Sequence, residues 1–146
     1  MLRVDSRRRE FANYRDTMSE WNFNFEKLQV WQKARELSKE VYACTRSFPA
    51  SEQFGLVSQM RRAAVSVSSN IAEGMSRTSV REQIRFIEVA YGSLMELFCQ
   101  IRLAGDFAFI AEVNVENFRV RIREIAAMLS GLRKSIVHRS EEDSNP

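Results

Sequence analysis

Between Lys27 and Phe48, apolar side chains recur at Leu28, Trp31, Ala34, Leu37, Val41 and Thr45/Phe48. Steps of three and four keep such residues on one side of a 3.6-residue helix. Pro49 stops this first helix, because the residue before a proline is pushed out of the helical region. A second helix is predicted from about Glu52 to Ala72 or Glu73, with Leu56, Met60, Ala63, Val67 and Ile71 as its stripe. Ser51 is placed to cap its start, and Gly74 to end it in a left-handed conformation. A third helix begins at Ser79, where Ser79 and Glu82 have the spacing of a capping box. Its apolar positions are Phe86 or Ile87, Ala90, Leu94, Leu97, Phe98 and Ile101, and Gly105 marks its end. The fourth starts near Asn114 and has the most regular pattern. Val115, Phe118, Ile122, Ile125, Leu129, Leu132 and Ile136 alternate steps of three and four, a heptad seam of three repeats.

Links of about four, four and nine residues join these helices. Short links force antiparallel neighbours, so the expected fold is all-α, an antiparallel up-down-up-down four-helix bundle. The bundle is expected over 25–137, with a poorly ordered arm at 1–24 and a frayed polar tail at 138–146. Met18 offers an alternative start that would make the first 17 residues an upstream extension.

The second helix is apolar on more than one side. Leu56, Met60, Ala63 and Val67 define one face, and Val57, Ala64, Val65 and Ala72 fall away from it at 100° per residue. A helix dry on two flanks needs a second partner, and another copy of the chain is the simplest. The expected assembly is a homo-oligomeric ring with Val57, Ala64, Val65, Ser68, Asn70, Ala72 and Glu73 at the subunit interface. Ala64→Glu is expected to break that ring while sparing the helices. A third stripe holds Gln59, Arg62, Ser66, Ser69/Asn70 and Glu73. Structural hydrogen bonds, with Glu73 paired to an arginine such as Arg62, explain it better than a ligand site at Asn70 and Glu73.

Composition narrows the chemistry. Of 146 residues, 45% are apolar, and 5 glycines and 2 prolines argue against a turn-rich β fold. The single histidine, His138, leaves little scope for His-based triads or His-ligated metals. Cys44 and Cys99 are isolated and read as reduced core residues. No phosphate-binding loop, dinucleotide fingerprint or metal-ligand set appears, so neither catalysis nor a cofactor is expected. No signal peptide and no apolar run of about 20 residues is present, which points to a cytoplasmic protein with no membrane role. The net charge of +3 understates the centre of the chain, where 27–137 carries 16 basic and 11 acidic residues.

Four motifs resemble one family. They are Phe25-Glu26-Lys27-Leu28-Gln29-Val30-Trp31-Gln32, Gln59-Met60-Arg61-Arg62-Ala63-Ala64-Val65-Ser66-Val67, Ser69-Asn70-Ile71-Ala72-Glu73-Gly74 and Tyr91-Gly92-Ser93-Leu94-Met95-Glu96-Leu97. Together they are similar to the four-helix bundle proteins encoded by bacterial 23S rRNA intervening sequences, over about 25–136. The resemblance implies a homopentameric ring around a central channel. It also implies kinship with the accessory variability proteins of diversity-generating retroelements, basic pentamers that associate with a reverse transcriptase and nucleic acid.

Two functions follow. The first is RNA or DNA binding by a pooled basic surface, with Arg61, Arg62, Arg77, Arg81, Arg85, Arg119, Arg123, Arg133 and Lys134 as candidate contacts. Arginine suits phosphate through its forked donors. Arg119, Arg121 and Arg123 alternate and so spread over more than one helix face, and pairs such as Glu82–Arg85 and Glu116–Arg119 would neutralise part of the charge. The second is a protein-interaction scaffold, for a partner such as a reverse transcriptase, with Trp21, Phe23, Phe25, Phe107 and Phe109 as anchors.

Overall fold

The computed structural model describes residues 23–145, so the expectations for Trp21 and for most of the 1–24 arm lie outside the described residues. Four α-helices follow in order: α1 Gln29–Thr45, α2 Leu56–Ser76, α3 Val80–Asp106 and α4 Glu112–Asp143. Two 3-10 turns, Asn24–Lys27 and Ala50–Glu52, precede α1 and α2. No strand occurs among the described residues.

The helices close into an antiparallel cycle. Ser38 of α1 donates to the Ala64 carbonyl of α2 at 3.1 Å. The Ser66 and Ser93 hydroxyls meet at 2.9 Å between α2 and α3. Arg133 of α4 donates to Glu88 of α3 at 3.0 Å. Ion pairs Lys33–Glu124, at 2.9 Å, and Arg121–Glu40 link α4 back to α1. Two clefts of about 360 and 300 Å³ run along this last seam, the second beside Cys44.

The predicted stripes form one core. Ala34, Leu37, Val41, Met60, Ala63, Val67, Ile71, Ile87, Ala90, Leu94, Leu97 and Ile101 are all buried. The α4 seam is buried from Val115 to Ile136, except for the half-buried Leu132. Removal of such side chains from water drives the assembly, at roughly 1.5–3 kcal/mol for each large one.

The helix ends differ from expectation in instructive ways. Ser51 lies in a 3-10 turn rather than capping α2, and the Glu52 carboxylate accepts from the Leu56 N–H at 3.1 Å instead. Gly74 is not a left-handed terminator, since α2 continues to Ser76 and no described glycine has positive φ. Gly74 is buried because α3 crosses close by: a Cβ there would sit 2.9 Å from the Phe86 Cβ. Gly105 likewise lies inside α3, against Val115 of α4. Ser79 does cap α3, accepting from the Glu82 N–H at 3.3 Å. The left-handed residue of the third link is Ala108, at φ 60°. α4 starts at Glu112, before Asn114, and runs through the expected tail to Asp143.

The expectation of a second partner for α2 needs correction. Val57 and Ala64 are 2% and 1% exposed within one chain. In a closed cycle each helix touches two neighbours, so α1 covers the flank that seemed to need another copy. Ala72 is half-buried, and Val65, at 43% exposure, is the residue of that flank that meets water. Ala64→Glu would therefore strike the core rather than a subunit interface.

Candidate nucleic-acid interface

The candidate cations fall into two groups. Several are engaged within the chain. Arg61 stacks over the Tyr42 ring, 4.5 Å from its centroid, and donates to the Thr45 hydroxyl at 3.0 Å, which ties α2 to α1. Arg77 lies 4.9 Å from the Phe86 ring centroid and 3.9 Å from Glu82. Glu82 thus turns to Arg77 and not to Arg85. Arg119 pairs with Glu116 at 3.1 Å, as the spacing suggests, and covers the Phe98 ring. Arg133 is held by Glu88, and Arg121 by Glu40.

Arg62, Arg81, Arg85, Arg123 and Lys134 make no salt bridge among the described residues. All five are exposed. Two of them, Arg81 and Arg85, line the furrow between α3 and α4. Arg81 and Arg85 line a cleft of about 630 Å³ with Val80, Ile84, Glu88, Val137, Ser140 and Glu141. Glu88 joins it to a second cleft of about 250 Å³ lined by Ile87, Tyr91, Leu129, Ser130 and Arg133. On α4, Arg123, Ala127, Ser130 and Lys134 step by four, three and four, so Arg123 and Lys134 share the outer face of the helix beside Ser130 and line neither cleft. The two clefts of the furrow are thus lined by three cations, Arg81, Arg85 and Arg133, against the carboxylates Glu88 and Glu141. The Ser79-capped N-terminus of α3 opens it and adds a partial positive charge. Arg62 stands apart, on the outer face of α2.

The polar stripe on α2 is structural. Asn70 donates back to the Ser66 carbonyl at 2.8 Å and to its hydroxyl at 3.0 Å. Gln100, 5% exposed, donates to Glu96 at 3.1 Å, and its Oε1 finds no partner. Glu73 is exposed and makes no ion pair with Arg62 or any other described residue.

Other expected chemistry is dispersed. No group of three or more His, Cys, Asp or Glu side chains suited to a metal occurs among the described residues. His138 is exposed and lies 3.2 Å from Glu142. The cysteines are not both core residues: Cys44 is half-buried and Cys99 exposed, because Cys99 falls on the outer face of α3. Burial pushes the Cys44 thiol above its ordinary value. No described helix is long and apolar enough to cross a membrane.

The sequence showed the arginines but not the furrow that takes in Arg81 and Arg85: Tyr91 lies in a family motif that says nothing of a cleft, and Ser130 and Glu141 lie in none. Nor did it single out Phe54, which is 96% exposed at the opposite end of the bundle from Asn24. Of the expected anchors, Phe23 and Phe107 are exposed, at 71% and 59%. Phe25 packs edge-on against Trp31, and Phe109 packs on Phe48.

Comparison with known proteins places this geometry. A solved Bacteroides thetaiotaomicron protein of unknown function from the S23 ribosomal protein family superposes with a TM-score of 0.65 at 20% identity. The match covers 72% of this chain and 98% of that one, and at that identity it speaks for the fold. No curated protein matches. The 23S rRNA-intervening sequence protein model matches residues 26–131, so the chain belongs to that family.

Proposed function

We propose that this protein is a non-catalytic, oligomeric nucleic-acid-binding bundle that engages phosphates along the α3–α4 furrow. The observation that carries this reading is the placement of Arg81 and Arg85 side by side in the α3–α4 cleft, with no salt-bridge partner among the described residues. Cations left unpaired over apolar clefts are suited to an external anion, and forked guanidinium groups suit phosphate best.

Self-association, as a pentameric ring, would multiply this field. Its support is no longer the α2 flank. It is the outer stripe of α3, where Val89 and Leu103 are 44% and 42% exposed and Gly92, Met95 and Cys99 lie between them. Val65 and Ala72, with Ser68, Asn70 and Glu73, would form the adjoining edge. The work would take place in the cytoplasm.

Mobility-shift titrations across salt test the binding. A log-linear weakening with a slope of about two or more is expected, near one per phosphate neutralised. No shift with RNA or DNA at low salt would reject it. A second reading, a scaffold for a protein partner such as a reverse transcriptase, is favoured by Phe54 and Phe107, bared at one end of the bundle. Loss of partner capture in Phe54→Ala, with nucleic-acid binding unchanged, would select it.

A further inference from the structure

We infer that the α3–α4 furrow receives unpaired bases, so that the protein selects single-stranded over duplex nucleic acid. This rests on the nucleic-acid reading above and names the form of ligand that the same site takes.

The floor of the furrow is apolar. Ile84 and Val137 line it beneath Arg81 and Arg85, and Ile87 and Leu129 line it beside Tyr91. A duplex turns its phosphates outward and keeps its bases stacked inside. It would use the cations and leave the apolar floor idle. A single strand offers phosphate and base faces together, and aromatic side chains accept any base by stacking.

Tyr91 is placed for that contact. It is 39% exposed, lines the smaller cleft, and joins no aromatic or cation–π pair among the described residues. The cleft beside it holds about 250 Å³. Arg133, fixed across the cleft by Glu88 at 3.0 Å, is held where its guanidinium plane can meet a base edge or face. Arg81 and Arg85 lie beside the path of the backbone on the α3 wall.

Fluorescence anisotropy on the full-length protein, at one fixed low salt, tests this with three labelled probes: oligothymidylate, oligouridylate and a blunt DNA duplex of matched length. At least one single strand should bind about tenfold more tightly than the duplex, the effect of one stacked base. Tyr91→Ala should lose about that factor on single strands and leave duplex binding unchanged, while Tyr91→Phe should retain wild-type affinity. Arg85→Ala should weaken every probe and lower the salt slope by about one. Circular dichroism confirms that each variant is folded. Equal or tighter duplex binding, or a Tyr91→Ala protein that holds single strands as tightly as wild type, would overturn the inference and leave the phosphate-binding role standing. Failure of all three probes to bind would remove both.

Discussion

At the scale of single residues, the protein carries a few local costs that mutagenesis can recover. Ala108 sits at φ 60°, where a Cβ crowds the following carbonyl. Ala108→Gly should raise stability by about 1 kcal/mol, read from chemical denaturation, and a decrease would show that the methyl group earns its place by packing. Gln100 presents the opposite case, a buried amide whose Oε1 has no partner. Gln100→Met should be neutral or stabilising, because an unsatisfied buried acceptor costs about 1–3 kcal/mol. Glu112 shows how pH enters. Two hydrogen bonds from Arg102, at 2.6 and 2.7 Å, hold its carboxyl below the ordinary value of 4.5. The folded chain thus takes up this proton less readily than the unfolded chain. The contribution is whole above pH 4.5 and fades as pH falls through the lower folded value. Glu112→Gln should remove that part of the acid sensitivity in a pH series of thermal melts. These residues were invisible in the sequence for a common reason. Ala108, Gln100 and Glu112 have ordinary neighbours in the chain, and their character comes from a turn or a facing helix.

At the scale of helices, apolar periodicity was a reliable guide because the core is a continuous layer in which every third or fourth residue counts. Ala34, Leu37 and Val41 of α1 and Val115 to Leu129 of α4 occupy the sites their spacing requires. The ends were less legible. Gly74 and Gly105 look like terminators in isolation, yet both are needed for close helix crossing, a relation between elements that local spacing does not encode. Gly74→Leu should therefore destabilise the bundle by about 2 kcal/mol or more, as overpacking at a fixed contact does. A small change in the denaturation midpoint would mean that α3 can move away. The two-flank reading of α2 failed for a related reason: a wide apolar arc tells that a helix has two neighbours, but not whether they belong to the same chain. Cys99 and Cys44 offer a check on the resulting placement. Alkylation at neutral pH should label exposed Cys99 well before Cys44, whose thiol is disfavoured as thiolate by burial. Loss of Cys99 labelling as protein concentration rises would mark the outer face of α3 as the surface where copies meet.

For the whole molecule, the fold was legible from the chain and the candidate site only in part. Arg81 and Arg85 were named, but so were Arg61 and Arg119, which the structure spends on Tyr42 and on Glu116 with Phe98. Charge is visible in a sequence; whether a charge is already satisfied depends on the facing helix. Self-association belongs to this scale as well. Light scattering should give a mass several times 17.0 kDa, and Val65→Glu on the outer face of α2 should reduce it without loss of helix content. The seam between α1 and α4 has a consequence of its own. It is bridged by the ion pairs Lys33–Glu124 and Arg121–Glu40 and interrupted by two clefts, whereas α2 and α3 meet through buried side chains and a serine–serine contact. Exposed ion pairs add little to local cohesion. The first helix is therefore the stave that loosens earliest: in native-state hydrogen exchange its amides should lose protection before those of the α2–α3 pair, and increasingly so as salt is added.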